Sequence, residues 1–346
     1  KIEWELTQKF GEVGKKIHTA RSRNDQVLVA LQLYYKEHLS IINDKTKTLF
    51  DTLLNLAETH KNQLLPGYTH LQVAMPSSFG MWFSAYAEPL VDDLYLAHAA
   101  YKTTDQNPLG SAAGYGSSFP IDREMTTREL GFSTLKYNVV AAQMGRGKTE
   151  KAVGYAMASL GGTLGRLAMD ICLYMGQDFG FISFPDQLTT GSSIMPHKKN
   201  PDVFELIRGK SALLQALPNT LTLLTNNLPS GYHREYQLLK EVLFPAIANL
   251  KSCLDMMRFG LKDIQISTQI TDQPKYDYLF SVDTLNELVL QGMPFRDAYK
   301  SLGTDIAQGN YVPKRDINHT HIGSIGAPGF EQIKAKMQRA SDWSNN

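Results

Sequence analysis

The sequence predicts a mainly α-helical fold built around long helices. Apolar residues recur at three- and four-residue steps through several long stretches, and period-two alternation is almost absent. Between those stretches the chain is punctuated by clusters of Gly, Pro and Ser. With 346 residues, of which 42% are hydrophobic and 20% charged, the chain can bury a sizeable core.

Taken in order, Lys1 to Val13 reads as the end of a helix with a break at Gly14, so the chain is expected to open partway into a domain. Ser22 and Asp25 have capping-box spacing at the head of a helix. Its apolar pattern runs from Val27 to Asn62, with Leu49, Leu53 and Leu56 on one face. Pro66-Gly67 ends it. Met75-Pro76 is expected to start a second long helix, reaching Asp105 through Trp82, Tyr86, Leu90, Leu94 and Ala97, and Pro89 predicts a kink within it. Gly110 to Ser118 reads as a loop. A third long helix is expected from Lys148 to Phe179, where Gly161, Gly162 and Ala168 should admit a close neighbour. A helix from Pro201 to about Leu224, an irregular link from Asn226 to Tyr236, a helix from Leu238 to Leu261 and short helices after Ser281 complete the chain. The expected division is 1–20, a remnant of an amino-terminal domain; 21–261, a central long-helix domain; and 262–346, a small carboxy-terminal helical region.

Several function classes are disfavoured. A formal net charge of +1 without a basic run argues against nucleic acid or an anionic membrane as partner. The most apolar region, Ala152 to Met175, is interrupted by Arg166 and Asp170 and reads as a buried helix rather than a membrane span. Cys172 and Cys253 both fall in helical patterns, which predicts a reducing compartment and no disulfide framework, and no Cys/His cluster has zinc spacing. A cytoplasmic enzyme without metal or other cofactor is the expectation.

The stretch that carries chemistry is Thr190-Gly191-Ser192-Ser193-Ile194-Met195-Pro196-His197-Lys198-Lys199-Asn200-Pro201-Asp202. Gly191 permits a tight or left-handed backbone, and Pro196 and Pro201 fix φ on either side of the two lysines. Asn200 is expected to cap the helix that Pro201 begins. Such a loop would turn backbone N–H groups, Ser192, Lys198 and Asn200 to one point, which suits a carboxylate or a developing oxyanion. A second polar concentration crowds Arg21, Arg23 and Asn24 beside the Ser22 cap, and two guanidiniums at a helix N-terminus make a carboxylate trap. Thr69-His70 follows Pro66-Gly67 and would be unremarkable alone.

The 190–202 string resembles the Gly-Ser-Ser-x-Met-Pro-x-Lys-x-Asn-Pro signature of the fumarase/aspartase superfamily, and His18 to Val27 resembles the diagnostic motif of its argininosuccinate lyase branch. The likeness runs from Ile2 to about His321, with the family's amino-terminal segment expected to be missing. It implies a long-helix bundle whose central helices pack with three copies of themselves into a homotetramer with composite active sites. It also implies a reaction, the reversible β-elimination of argininosuccinate to fumarate and arginine in arginine biosynthesis. The resemblance maps Ser192 to the catalytic base, Lys198 and Asn200 to carboxylate and carbanion stabilisation, His70 with Thr69 to the second conserved region, and Glu205 to the carboxylate that orients the histidine. It maps Ser22, Arg23, Asn24, Tyr232, Gln237 and Lys240 to substrate binding.

Departures bear on the substrate. The family's Asn-Ser-x-Asp-Ala-x-x-Asp-Arg-Asp string stands here as Asn138 to Gly147, with only Asn138 and Arg146 surviving among its polar anchors, and Leu238-Leu239 replaces an acidic pair beside Lys240. A ligand modified at its arginine end, another fumarate-releasing lyase such as an adenylosuccinate lyase, and an inactive crystallin-like structural protein are the alternatives.

Overall fold

The cap at Ser22 organises the first long helix. Asn24 N–H donates to Ser22 Oγ at 3.2 Å and Ser22 N–H to Asp25 Oδ1 at 2.9 Å, so orphan donors at the helix head are satisfied locally. In the computed structural model, which describes residues 1–343, the chain opens with α1 (Ile2–Phe10) and a 3₁₀ segment (Gly11–His18) before α2 (Arg23–Thr59). The first break falls at Gly11, whose φ is 65°, and not at Gly14, which is buried inside the 3₁₀ turn. A hairpin of β1 (Leu64–Thr69) and β2 (Gln72–Ser78) leads to α3 (Phe79–Thr104), which continues across Pro89.

Short pieces follow: β3 (Gln106–Asn107), α4 (Arg123–Glu129), β4 (Thr134–Leu135) and α5 (Val139–Met144), with β3 and β4 paired in parallel. Then come α6 (Lys148–Met175), β5 (Ile182–Ser183), β6 (Thr190–Gly191), β7 (Lys199–Asn200), α7 (Asp202–Gln215), α8 (Leu217–Leu224) and α9 (Leu238–Leu261). The chain closes with β8 (Gln265–Ile266), which pairs with β5, then α10 (Ser281–Leu290), α11 (Phe295–Ala307) and α12 (Phe330–Ser341).

The helices α2, α3, α6, α7 and α9 pack around one core. On α2 the residues Leu28, Leu31, Tyr35, Leu39, Ile42, Leu49 and Leu53 are buried at three-, four- and seven-residue steps, so a single face carries the packing. Each fully buried leucine contributes about 1.5–3 kcal/mol of transfer free energy. Glycines set the α6–α7/α8 distance. A Cβ on Gly154 would meet Leu221 Cδ1 at 2.4 Å and one on Gly161 would meet Leu214 Cβ at 2.9 Å, whereas Gly162 faces only the tip of Gln215 at 4.0 Å. The last helix, α12, folds back onto α3 and α2 and joins this core through Ile333, Met337 and Ala340. Helices α10 and α11 share a satellite cluster of Leu285, Ala298 and Leu302.

Four further expectations need correction. The helix expected from Met75 starts only at Phe79, capped by Ser78 Oγ accepting from Met81 N–H at 3.1 Å, because residues 72–78 pair as a strand instead. The stretch 201–224 is two helices separated at Ala216, since Pro218 lacks the N–H that would continue the first one. The third long helix stops at Met175. Asn200 is not a helix cap: α7 begins after Pro201 without a side-chain cap, and Asn200 is paired with Thr190 across β6–β7.

One polar contact in the core stands out energetically. Arg146 and Glu150, 3% and 1% exposed at their side chains, are joined Nε to Oε1 at 2.9 Å. Glu150 Oε2 also accepts from Gly147 N–H at 2.7 Å, and Arg146 Nη2 donates to Tyr236 O at 2.6 Å. Removing one partner strands the other charge in a dry site. Glu150→Ala is therefore expected to cost about 3–5 kcal/mol in denaturant unfolding, whereas Glu88→Ala, at a half-exposed pair with Lys336, should cost less than about 1 kcal/mol.

Candidate active site

The 190–202 segment is a small hairpin. Thr190 pairs with Asn200 and Gly191 with Lys199, so Gly191 lies in a strand and not in the left-handed turn that glycine permits. Within the turn, Lys198 N–H donates to Met195 O at 3.0 Å. Ser192 Oγ accepts from Met195 N–H at 3.1 Å and Ile194 N–H at 3.3 Å. Two amide donors aimed at one hydroxyl oxygen favour its ionised form. The two lysines diverge: Lys198 Nζ donates to Asn200 Oδ1 at 2.6 Å, while Lys199 Nζ is bonded to Asp186. Thr190 Oγ1 donates to the Asp202 carboxylate, tying the hairpin to the first turn of α7. A cavity of about 280 Å³ beneath the hairpin is lined by Cys172, Met175, Met195, His197, Lys198 and Lys199.

His70 is delivered by the β1–β2 hairpin. Thr69 pairs with Gln72, leaving His70 and Leu71 as a two-residue turn with φ of 54° and 60°. This is the geometry that glycine or asparagine usually supplies, and two ordinary side chains there cost of order 1–3 kcal/mol each. The hairpin is anchored by Tyr68, whose hydroxyl meets that of Tyr276 at 3.2 Å and whose ring lies against Phe179 and Phe181. Burial, and then the bond to Tyr276, push the Tyr68 phenol well above its usual range, so it stays a neutral anchor. Thr69 and His70 are exposed, and His70 makes no hydrogen bond among the described residues.

Tyr232, Gln237 and Lys240 are brought together. Gln237 Nε2 donates to Tyr232 Oη at 2.6 Å and Lys240 Nζ to Gln237 Oε1 at 2.9 Å, a chain running from the link into α9. All three are half-buried, which fixes an ammonium, an amide and a phenol side by side.

At the head of α2, Arg23 is exposed and Asn24 half-buried. Arg21, expected to share a carboxylate trap, is engaged by its neighbours in the chain: its Nε donates to Ile17 O at 2.8 Å and Nη1 to Gln26 Oε1. Glu205 lies on α7, 4.0 Å from Arg208, and among the described residues no hydrogen bond or ion pair joins it to His70. Among the described residues, no hydrogen bond or ion pair joins the hairpin, His70 and the α2 head to one another.

Two features escaped the sequence. The two survivors of the departed 138–147 string are structural: Asn138 Oδ1 caps α5, and Arg146 ties Glu150 to the carbonyl beside Gln237. Asp25, expected only as a cap partner, is completely buried, and its Oδ2 accepts from Gly110 N–H at 3.1 Å and Ala112 N–H at 2.9 Å. It fastens the Ser22–Asn24 turn to the loop that follows β3. No local signal could announce a contact across 85 residues.

Among the described residues no helix is long and apolar enough to cross a membrane, and no group of His, Cys, Asp and Glu is arranged to hold a metal ion.

The family model described as a lyase matches residues 1–215. Solved structures share the fold, two of which illustrate it. EDDS lyase in complex with formate superposes with a TM-score of 0.81 at 20% identity, covering 99% of this chain and 75% of that one. A fumarate lyase:delta crystallin from Brucella melitensis bound to cobalt has a TM-score of 0.74 at 16% identity, covering 96% and 73%. At such identities they speak to the fold alone. Curated relatives are far more similar in sequence. Argininosuccinate lyase of Parabacteroides distasonis is 56% identical over 337 residues, 97% of this chain and 76% of that protein. The argininosuccinate lyase of Phocaeicola vulgatus is 54% identical over 344 residues, covering 99% and 77%. With a long-helix fold of the fumarase/aspartase superfamily and more than half its residues shared with these enzymes, the chain belongs to the argininosuccinate lyase family.

Proposed function

We propose that this chain is a carbon–nitrogen lyase acting on argininosuccinate, splitting it reversibly into fumarate and arginine. The observation that carries this reading is the 53–56% identity to argininosuccinate lyases over nearly the whole chain. The geometry of the 190–202 hairpin supports it.

The substrate carries a proton on the carbon beside a carboxylate and a guanidino group on the next carbon. Ser192 takes that proton, the two electrons of the C–H bond collapse toward the carboxylate, and the C–N bond then breaks to leave fumarate. The difficult species is the intermediate with charge spread onto its carboxylate. Lys198 and Asn200, already joined to each other, stabilise that charge, and one such donor is worth about 2.7–4 kcal/mol. A serine can serve as base only if its ionised form is favoured, and the two amides on Ser192 Oγ act in that direction. His70 donates a proton to the departing nitrogen, oriented by Glu205, and Thr69 lies beside it. Ser22, Arg23, Asn24, Tyr232, Gln237 and Lys240 bind the remainder of the substrate.

These groups work as a homotetramer in the cytoplasm, with the 21–261 region forming the shared helical bundle between a short leading part, 1–20, and a carboxy-terminal part, 262–346. Each site draws on three subunits. Such sharing would account for the lack of a hydrogen bond or ion pair between His70 and Glu205 among the described residues of one chain. Neither nucleic acid nor a membrane is a partner in this reading, and no cofactor is required.

The direct test is to mix purified protein with argininosuccinate and follow fumarate absorbance and arginine release; no turnover would overturn the reading. Ser192→Ala should abolish turnover while leaving the melting temperature nearly unchanged, since the lost hydroxyl lies in a surface turn and opens no core cavity. More than a few per cent residual activity would remove it from the base role.

Lys198→Met should lose far more activity than Lys199→Met, because Lys199 is engaged with Asp186 and Lys198 with Asn200. Equal losses would show that the two lysines contribute alike.

Sharing of the site between subunits is tested by complementation. Ser192→Ala and His70→Asn proteins, each nearly inactive, are denatured together and refolded. Random mixing in a closed symmetric oligomer leaves about a quarter of the sites with both native residues. Activity should therefore reappear, and its absence in tetramers verified as mixed would overturn the shared site.

A further inference from the structure

The loop between β3 and α4 has a rigid base and a glycine-hinged tip. At its base, Gly110 and Ala112 donate to the buried Asp25 carboxylate. Gln143, also buried, donates from Nε2 to Ser111 Oγ at 3.1 Å and to Ala112 O at 3.2 Å. Ala112 has φ of 51°, a conformation that side chains avoid unless the surroundings impose it. Gly114 and Gly116 follow with φ of 110° and 83°, and a Cβ on Gly114 would strike Gln143 Cγ at 2.8 Å. Between these two glycines stands Tyr115, 72% exposed and without a hydrogen bond among the described residues.

The tip does not point at random. A Cβ on Gly231 would lie 3.7 Å from Tyr115 Oη, so the phenol reaches the residue immediately before Tyr232. Tyr232 in turn begins the Tyr232–Gln237–Lys240 chain. Here an aromatic face, an ammonium and an amide are gathered on one chain. The leaving half of argininosuccinate offers a flat guanidino cation, an aliphatic stem and an α-carboxylate. An aromatic ring suits the cation and stem, and an ammonium the carboxylate.

We propose that Tyr115 is a specificity-determining residue of this site, contacting the amino-acid half of the substrate from a loop whose position is set by Asp25 and Gln143. The inference rests on the lyase reading above and assigns to that reaction a contact outside the signature motifs. A small side chain at this tip would leave the amino-acid half less enclosed; a phenylalanine would keep the ring and lose only the hydroxyl.

The test uses the reverse reaction, in which the two halves arrive separately. Wild type, Tyr115→Phe and Tyr115→Ala are compared with fumarate and arginine varied in turn. Tyr115→Ala should raise the KM for arginine tenfold or more while the KM for fumarate moves less than twofold and the melting temperature stays within a degree or so of wild type. Tyr115→Phe should fall between the two. An unchanged arginine KM in Tyr115→Ala would overturn the proposal, as would equal rises for both substrates, which would mark a general disturbance of the loop. Failure of the lyase reading itself is distinct, because wild type would then not turn over in either direction.

Discussion

A carboxylate sealed from water must find its hydrogen bonds in the protein, and Asp25 finds them on the backbone: Ser22 through one oxygen, Gly110 and Ala112 through the other. Those donors belong to two segments far apart in sequence. One carries Ser22, Arg23 and Asn24; the other rises to Tyr115. Since leaving a buried charge unpaired is far more costly than any surface bond is worth, neither segment can drift without penalising the other. Gln143 holds the second segment from the opposite side, and Arg123 closes its flank by donating to Leu109 O at 2.9 Å and to the carbonyls of Lys136 and Tyr137. Loops that present polar groups to a ligand are usually the mobile parts of a protein. Here the base of one is as firmly tied as a helix.

The long helices are a frame that brings chain ends to fixed places. The Ser22 turn lies at the head of α2, the His70 hairpin between α2 and α3, and the Ser192 hairpin between α6 and α7. Side chains packed along α2, α3 and α6 make those helices stiff, so the short segments at their ends inherit defined positions. The Tyr232–Gln237–Lys240 chain obtains its rigidity differently, from the buried Arg146–Glu150 pair that grips the adjoining carbonyl of Tyr236.

Local chemistry was legible in the sequence wherever the cause was itself local. Ser22 and Asp25 announce their cap because the bonds are made within one turn, and Leu238 to Leu261 reads correctly because its apolar stripe is uninterrupted. The β1–β2 hairpin was hidden for two physical reasons. Its turn residues, His70 and Leu71, are not ones that favour φ above zero, and Pro66 and Pro76 argue against strands. Tertiary packing of Tyr68 against Phe179, Phe181 and Tyr276 outweighs both signals. Asn200 illustrates the opposite error. It has the chemistry of a cap, but pairing with Thr190 and the bond from Lys198 engage it first. Contacts such as Asp25 to Gly110, or Tyr115 to Gly231, depend on the folded arrangement and leave no trace in spacing.

The facing prolines of the β1–β2 hairpin have a consequence for how that hairpin meets its surroundings. Phe79 N–H donates to Gln63 O at 2.9 Å, so by the alternation of antiparallel pairs Pro66 and Pro76 fall at a position where both N atoms face outward, away from the partner strand. Both residues are buried. Any other residue would direct an N–H into packed side chains with no acceptor assured; proline removes the donor altogether. The same omission makes the hairpin a poor template: a third strand laid along either edge would find no donor at its midpoint. A two-stranded element that carries a strained tip is thus kept two-stranded by the chemistry of its own edges.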